Sequence, residues 1–284
     1  MATILFTTRN TPNAKTISKL IEAAQRLNLN IEVIHTKETI NEIHNNNKFD
    51  NIDFAIHRDF DCSPMQSFYV NKLPSSTRQL NKEFLLKFHK YDKAIQYSYL
   101  SQNNPNIPLI PTVWSFDILS YDDISNYFQD IKFLVKPSWG SFGNGIQIID
   151  SQSKLDEYYK TNRPYNIIFQ QYIPIEWDIR ILIIGNKALG AMKRNKPHKD
   201  SLVTNISQGG IGEQFILLPE IEKIALDVSK VLSLEYAGVD ILFDSNNKPY
   251  IIEVNPNPQF YGFNKTFGIQ VEDLLLEYLI SSKN

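Results

Sequence analysis

The sequence predicts an α/β (α+β) protein: a parallel α/β layer at the N-terminus, then a longer region rich in antiparallel strands. Three observations predict it. Over the first 60 residues apolar strand-like runs alternate with an amphipathic helical stretch, the order of a parallel layer. From residue 178 onward long apolar runs are joined by tight polar turns, Gly185-Asn186 and Asp244–Lys248, the pattern of hairpins. And 284 residues that are 42% hydrophobic fill two domains, or one domain and a smaller lobe, and exclude wholesale disorder.

Taken in order, residues 2–6 read as a short buried strand. A helix follows over 14–27, capped by Thr11 or Asn13, with Ile17, Leu20, Ile21, Ala24 and Leu27 on one stripe. Strands come at 31–34 and 52–57, and helices at 79–90 and 93–101. Prolines 105, 108 and 111 then break the chain and mark a boundary. Beyond it lie a strand at 131–136, a glycine loop, a strand at 145–149, a helix at 153–161 and a strand at 167–172. A long strand from 178 turns at Gly185-Asn186 and returns to 191. A helix at 219–233, a hairpin of 236–243 with 249–255 and a helix at 271–281 complete the reading.

Composition narrows the function classes. A formal charge of −2 argues against an electrostatic nucleic-acid binder. The single cysteine, Cys62, excludes an internal disulfide and a cysteine-ligated metal centre. No stretch approaches 18 consecutive apolar residues, and the N-terminus lacks a signal-peptide core, so a soluble cytoplasmic protein without membrane contact is expected. All eleven glycines lie at or after position 140, and six fall in two clusters: Gly140, Gly143, Gly145 and Gly209, Gly210, Gly212. Glycine is needed where the backbone takes positive φ or admits a ligand closely, so phosphate chemistry or loop motion is expected there.

Two constellations carry chemistry. In the 236–255 hairpin a turn centred between Asn246 and Asn247 sets Asp240 opposite Glu253, with Asn255 on the same face as Glu253. Directly opposed side chains have Cβ atoms about 4.5–5.5 Å apart. Two carboxylates among Ile, Leu and Val are costly unless compensated, and a hard cation taking Asp, Glu and Asn oxygens, Mg²⁺ or Mn²⁺, compensates them. A half-exposed hairpin with a polar face is the alternative. The second constellation is Phe133-Leu-Val-Lys136-Pro137 running into Ser138-Trp-Gly140-Ser141-Phe142-Gly143-Asn-Gly145. It neither ends in Gly-Lys-Ser/Thr nor opens a helix, so it is neither a Walker A loop nor a dinucleotide fingerprint. A flexible loop between antiparallel strands remains, whose backbone N–H groups can point at phosphate, with Lys136 on an apolar strand as its anion partner. An ordinary glycine-rich hairpin is again the alternative.

Together these stretches resemble the ATP-grasp ligases, in the branch of the ribosomal-protein glutamate ligase (RimK) and LysX, over about Tyr91 to Gly268. The resemblance implies a two-lobed ATP-grasp fold behind the N-terminal layer: residues 1–105, then a central lobe at 106–172 with the glycine loop, then a C-terminal lobe at 173–284 with the metal site. It implies Lys93 and Lys136 as nucleotide lysines, Gly140 to Gly145 as the phosphate-covering loop, and Gln170, Gln171, Tyr172 and Ile173 as the linker contacting adenine. Asp178 falls on a ribose-binding acid, Arg180 on a catalytic-site arginine, and Lys193-Arg194 on a basic pair reaching the γ-phosphate. Asn205 to Gly210 falls on a nucleotide-side loop, Asp240, Glu253 and Asn255 on the metal ligands, and Asn264 to Ile269 on the closing motif. Departures are Gln171 for a usual Glu, Lys193 for an acidic residue, Val203 for Arg, and Asn257 for Ser.

The implied activity is ATP-dependent joining of a carboxylate to an amine through an acylphosphate. Arg180 and Arg194 are the catalytic residues. The substrates are a small amino acid or peptide, or a carrier-protein or protein C-terminal tail, and a homo-oligomer (dimer or tetramer) is expected. Arg9 and Arg58, at the ends of strands 2–6 and 52–57, with Asn257, Gly209 and Gly210, are candidate acceptor-site residues. An ATP-grasp kinase acting on a hydroxyl and a non-catalytic ATP-binding protein are the competing readings. For Arg180 a simple ion pair with Asp178 is the structural alternative.

Overall fold

The computed structural model describes residues 1–8, 15–35, 49–58, 63–88, 92–140, 143–198, 201, 202, 204 and 212–282, without the side chains of 63–67. The chain opens with β1 (Thr3–Thr8), α1 (Lys15–Arg26), β2 (Asn30–His35), β3 (Phe54–His57), α2 (Ser63–Lys72) and β4 (Arg78–Gln79). These strands form one parallel sheet in the order β2-β1-β3-β4. Two helices follow, α3 (Lys82–Lys87) and α4 (Lys93–Asn103).

The next unit holds β5 (Thr112–Val113), α5 (Tyr121–Phe128), β6 (Phe133–Pro137), β7 (Gln147–Ile149), α6 (Gln152–Thr161) and β8 (Ile167–Gln171). Its antiparallel sheet runs β5-β8-β6-β7. The rest comprises β9 (Trp177–Ile184), β10 (Lys187–Asn195), β11 (Gly212–Phe215), α7 (Pro219–Val231), β12 (Tyr236–Phe243), β13 (Pro249–Asn255), α8 (Tyr261–Phe267) and α9 (Val271–Ser281). Its five strands are antiparallel, in the order β11-β10-β9-β12-β13. The expected α/β layer and the antiparallel lobes behind it are thus present.

Strand alternation divides this last sheet. Ile179, Ile181 and Ile183 of β9 face α7, whose Ile221, Ala225 and Val228 complete that core. On the opposite face the even-numbered residues change character along one strand: Asp178 and Arg180, then Leu182 and Ile184. The apolar half joins Ile4, Phe6, Ile17 and Leu20 of the N-terminal layer and Leu275 and Leu279 of α9 in one continuous core. The N-terminal layer is therefore welded onto the C-terminal sheet. The central sheet keeps a core of its own around Phe133, Val135, Leu155 and Phe169.

Some elements depart from expectation. The stretch read as helix 79–90 begins with β4 and a left-handed Asn81 (φ 57°), and its helix runs only over Lys82–Lys87. Asn81 turns there because its side-chain amide accepts from the Glu235 and Tyr236 N–H groups and donates to the Tyr236 and Pro256 carbonyls. α5 was not anticipated, although Ser120 and Asp123 form a complete capping box at its start. α2, α8 and β11 are also additions.

Candidate active site

The central sheet and the C-terminal sheet face each other across a narrow slot. Leu134 and Lys136 of β6 and Gln170 of β8 line one wall, opposite Arg194 of β10, Asp240 of β12 and Glu253 of β13.

On the central wall Phe133 and Val135 turn into the core, so alternation sends Lys136 into the slot. It is buried, at 5% exposure, and among the described residues its ammonium has no hydrogen-bond or ion-pair partner. Burial, reinforced by neighbouring Lys93 and only partly opposed by Glu253, pushes its pKa down to about 7. Lys93 opens α4. Asp92 caps that helix, accepting from Ala94 N–H (2.8 Å) and from the Ser138 hydroxyl (2.9 Å), while Lys93 N–H donates to Ser138 O. The Lys93 ammonium donates to the Gly140 carbonyl at 2.9 Å, tying the helix to the glycine loop. In that loop Gly145 has φ 78°, and a Cβ there would lie 2.8 Å from Pro137 Cγ, so glycine is required. Gln170 donates to the Thr112 hydroxyl, but its Oε1 is buried without a partner, alone in this respect among the described residues. Such an atom costs about 1–3 kcal/mol unless a donor meets it. The Gln171 N–H is already spent on Pro111 O, leaving Tyr172 and Ile173 as the linker residues that line the slot.

The C-terminal wall is built the opposite way. β10, β9, β12 and β13 are adjacent, and their register sets Arg194 beside Asp178, Arg180 beside Asp240, and Asp240 beside Glu253. Arg180 makes a bidentate pair with Asp240 (2.7 and 2.6 Å), and Arg194 a bidentate pair with Asp178 (2.7 Å twice). Arg194 also reaches Asp240, at 2.9 Å. The Thr204 hydroxyl donates to Asp178 Oδ2 at 2.6 Å. Burial pushes the Asp178 carboxyl up against the pull of Arg194, whereas Asp240, equally buried but with two guanidiniums on it, is held below the usual carboxylate range. Burial opposes the Arg194 charge, and the two aspartates more than offset it.

The hairpin register agrees with the sequence reading, but through a different construction. Phe243, Leu242 and Ile241 pair with Pro249, Tyr250 and Ile251, a register that by itself would bring Ile252 opposite Asp240. A bulge between Ile251 and Glu253 shifts the ladder by one, restoring Asp240 opposite Glu253 and Gly238 opposite Asn255. Both Ile252 and Glu253 consequently line the slot.

Several expectations change. Asp240 is not an uncompensated charge, because Arg180 and Arg194 neutralise it, so carboxylate repulsion does not by itself call for a metal. By kind, the donor set still fits one: Glu253, Asn255 and the acceptor capacity Asp240 retains are hard oxygens. The Asn255 amide oxygen meanwhile accepts the Asn257 N–H at 2.8 Å. Arg180 pairs with Asp240 one strand over, not with Asp178. Asp178 has both oxygens engaged and is 3% exposed, so it anchors Arg194 instead of standing free for a ribose. Lys193 leaves the basic pair: adjacent strand residues point to opposite faces, and its ammonium lies over the Trp177 ring at 4.9 Å, away from the slot. Arg58 is buried behind the loop after β13, with Nη1 3.5 Å from Pro258 O. Arg9, Ser141, Phe142, Val203, Asn205, Gly209 and Gly210 lie outside the described residues. Sequence reading passed over Lys196 and Leu242, which line the slot with Thr204, a residue the resemblance matches but gives no role. Lys196 sits in the basic run 193–199, the signal that could have found it.

The chain is similar to known proteins. Residues 91–279 match the RimK-like ATP-grasp domain. The chain belongs to the RimK-like ATP-grasp family. A probable alpha-L-glutamate ligase of Shewanella sp. (strain MR-4) is 33% identical to this RimK-like chain over 161 residues, 55% of the chain and 53% of the relative. The match thus spans about half the length of that relative. Among solved structures, the ATP-grasp ligase PsnB complexed with a minimal precursor superposes with a TM-score of 0.73 at 14% identity, covering 100% of this chain and 99% of that one. The D-alanine–D-alanine ligase of Bacillus anthracis gives 0.71 at 18%, covering 100% and 97%. These two likenesses establish the fold.

Proposed function

We propose that the chain is an ATP-dependent carboxylate–amine ligase working through an acylphosphate. The observation that carries this reading is the central wall: a buried lysine with no partner among the described residues, next to a second lysine, and an orphaned buried amide oxygen on the adjacent strand, in one slot. An anion answers the first and a donor such as an exocyclic amine answers the second, which is the chemistry of the two ends of ATP.

Gln170, with the backbone of Tyr172 and Ile173, receives the base, and Lys93 and Lys136 hold the triphosphate. Glu253, Asn255 and Asp240 would hold Mg²⁺ (or Mn²⁺), which would supply charge neutralisation at the phosphates. Phosphoryl transfer needs positioning and charge stabilisation more than covalent help, and the ladder opposite supplies both. Arg194, fixed between two aspartates, faces the transferring phosphoryl group as a substrate carboxylate displaces ADP. Arg180, held by Asp240, faces the oxyanion formed when the amine attacks the acylphosphate. The water-accessible space in the slot is about 130 Å³, below the roughly 300–1,000 Å³ of ordinary ligand pockets, so the lobes part to admit ATP and close to keep water from the acylphosphate. By analogy with the glutamate and peptide ligases it resembles, the pair joined is an amino acid and an amino-acid, peptide or carrier-protein partner.

The test is ADP release against a panel of carboxylates and amines. Release that requires both partners, with an amide product by mass spectrometry, is expected. Release needing only a hydroxyl compound would favour a kinase, and ATP binding without turnover on any pair would favour a non-catalytic protein.

A further inference from the structure

Thr204, Asp178 and Arg194 form a chain of contacts that no substrate-binding role accounts for. All three are buried, at 4%, 3% and 2% exposure. Among the described residues, every polar atom directed at the Asp178 carboxylate is a donor: Arg194 Nε on Oδ1, and Arg194 Nη2 and the Thr204 hydroxyl on Oδ2. A carboxylate accepts about four hydrogen bonds, and those from charged or buried donors are the strong ones. Asp178 is thus an ionised pivot, and two of its three bonds fix the plane of one guanidinium. The same Nη2 that donates to Asp178 also reaches Asp240, at 2.9 Å, and Asp240 in turn grips Arg180. Thr204 lies outside the sheet, where it also lines the slot. Its hydroxyl is the end stop of a ladder that runs Thr204, Asp178, Arg194, Asp240, Arg180.

We infer that Thr204 and Asp178 are positioning residues that act through Arg194, and that Asp178 makes no contact with the nucleotide sugar. The inference rests on the ligase reading above. An arginine held along one edge by a bidentate carboxylate keeps its remaining donors aimed in a fixed direction, so it meets developing charge without reorganising. The hydroxyl keeps the carboxylate in the plane that makes this possible. Removing it leaves Asp178 ionised by Arg194 but free to rotate, and the orientation is passed to Arg194.

Two variants test this in the full-length protein. Thr204→Val preserves shape and removes the donor, and Thr204→Ser restores it. Expected are a fall in kcat of about ten- to a hundredfold for Thr204→Val, an unchanged KM for ATP, unchanged ATP affinity by calorimetry, and recovery to near wild-type kcat in Thr204→Ser. The sugar contact is read separately, by comparing ATP with 2′,3′-dideoxy-ATP. Wild type and Asp178→Asn are expected to show the same ratio of affinities for the two nucleotides. If Asp178→Asn fails to fold, the Thr204 pair and the wild-type nucleotide comparison still decide. A Thr204→Val enzyme with wild-type kcat overturns the inference, as does a rise in KM for ATP at constant kcat, or a sugar preference that Asp178→Asn abolishes. Wild-type protein that binds no ATP would instead overturn the ligase reading itself.

Discussion

The two walls of the slot are built on opposite electrostatic plans. On the central sheet the groups facing inward lack partners: Lys136 has lost most of its hold on a proton, and Gln170 Oε1 is unsatisfied. On the C-terminal sheet four inward-facing charges satisfy one another, two arginines alternating with two aspartates across three strands, beside Glu253, which has no ion-pair partner among the described residues. The first arrangement is costly until a ligand arrives and so marks where binding energy is collected. The second is already paired and so marks where geometry is held ready. The same residues could not do both, because partners that fix a side chain also use up the valences that would bind.

Breaking the partnerless wall should have the largest effect. Lys136→Met keeps length and apolar packing, so the fold should survive, while turnover should drop about a thousandfold through lost phosphate stabilisation. A steady-state assay with a thermal melt checks both; turnover near wild type would mean that the lysine faces something other than phosphate. Arg180→Met should break the paired wall differently. It leaves Arg194 on Asp240, so ATP binding should remain near normal while kcat falls roughly 10²–10³-fold. Collapsed ATP binding with kcat preserved would move Arg180 to the nucleotide site. Gly238→Ala should give the smallest effect and sharpen the comparison. Its Cβ would stand 2.9 Å from Pro258 Cβ and 3.6 Å from Arg180 Cδ, so the loop after β13 must yield. A loss of about 1–3 kcal/mol in chemical denaturation is expected from such overpacking, with kcat affected more than KM for ATP.

The two walls were not equally legible in the sequence. Lys136 and the glycine loop could be read because a charged residue in an apolar strand and a run of glycines each stand out locally. The hairpin could be read because its strands are long and its turn polar, although its register is set by a bulge at Ile252 that no local signal announces. The ladder was less legible. Which arginine grips which aspartate depends on the order of β10, β9 and β12, a tertiary fact, so the ion-pair alternative for Arg180 names Asp178 where the structure has Asp240, and the resemblance sets Asp178 at a ribose where it holds Arg194. Lys193 fell to an elementary rule, that neighbours on a strand face opposite ways. α9 was readable over Val271–Ser281 from its apolar stripe, whereas the seven-residue α8 is too short and aromatic to show a helical period.

The central claim is that phosphate meets Lys136, and proton linkage tests it most directly. With a pKa of about 7 this lysine is mostly neutral at pH 8, and a bound phosphate restores its charge. Binding must then take up a proton at pH 8, and affinity must weaken as pH rises above 7, because the proton is scarcer where it is needed. Calorimetric titration of ATP at pH 8 in two buffers of different ionisation enthalpy measures this uptake. The account predicts proton uptake by wild type and none by Lys136→Met. ATP binding with no proton uptake in the wild-type protein would contradict it.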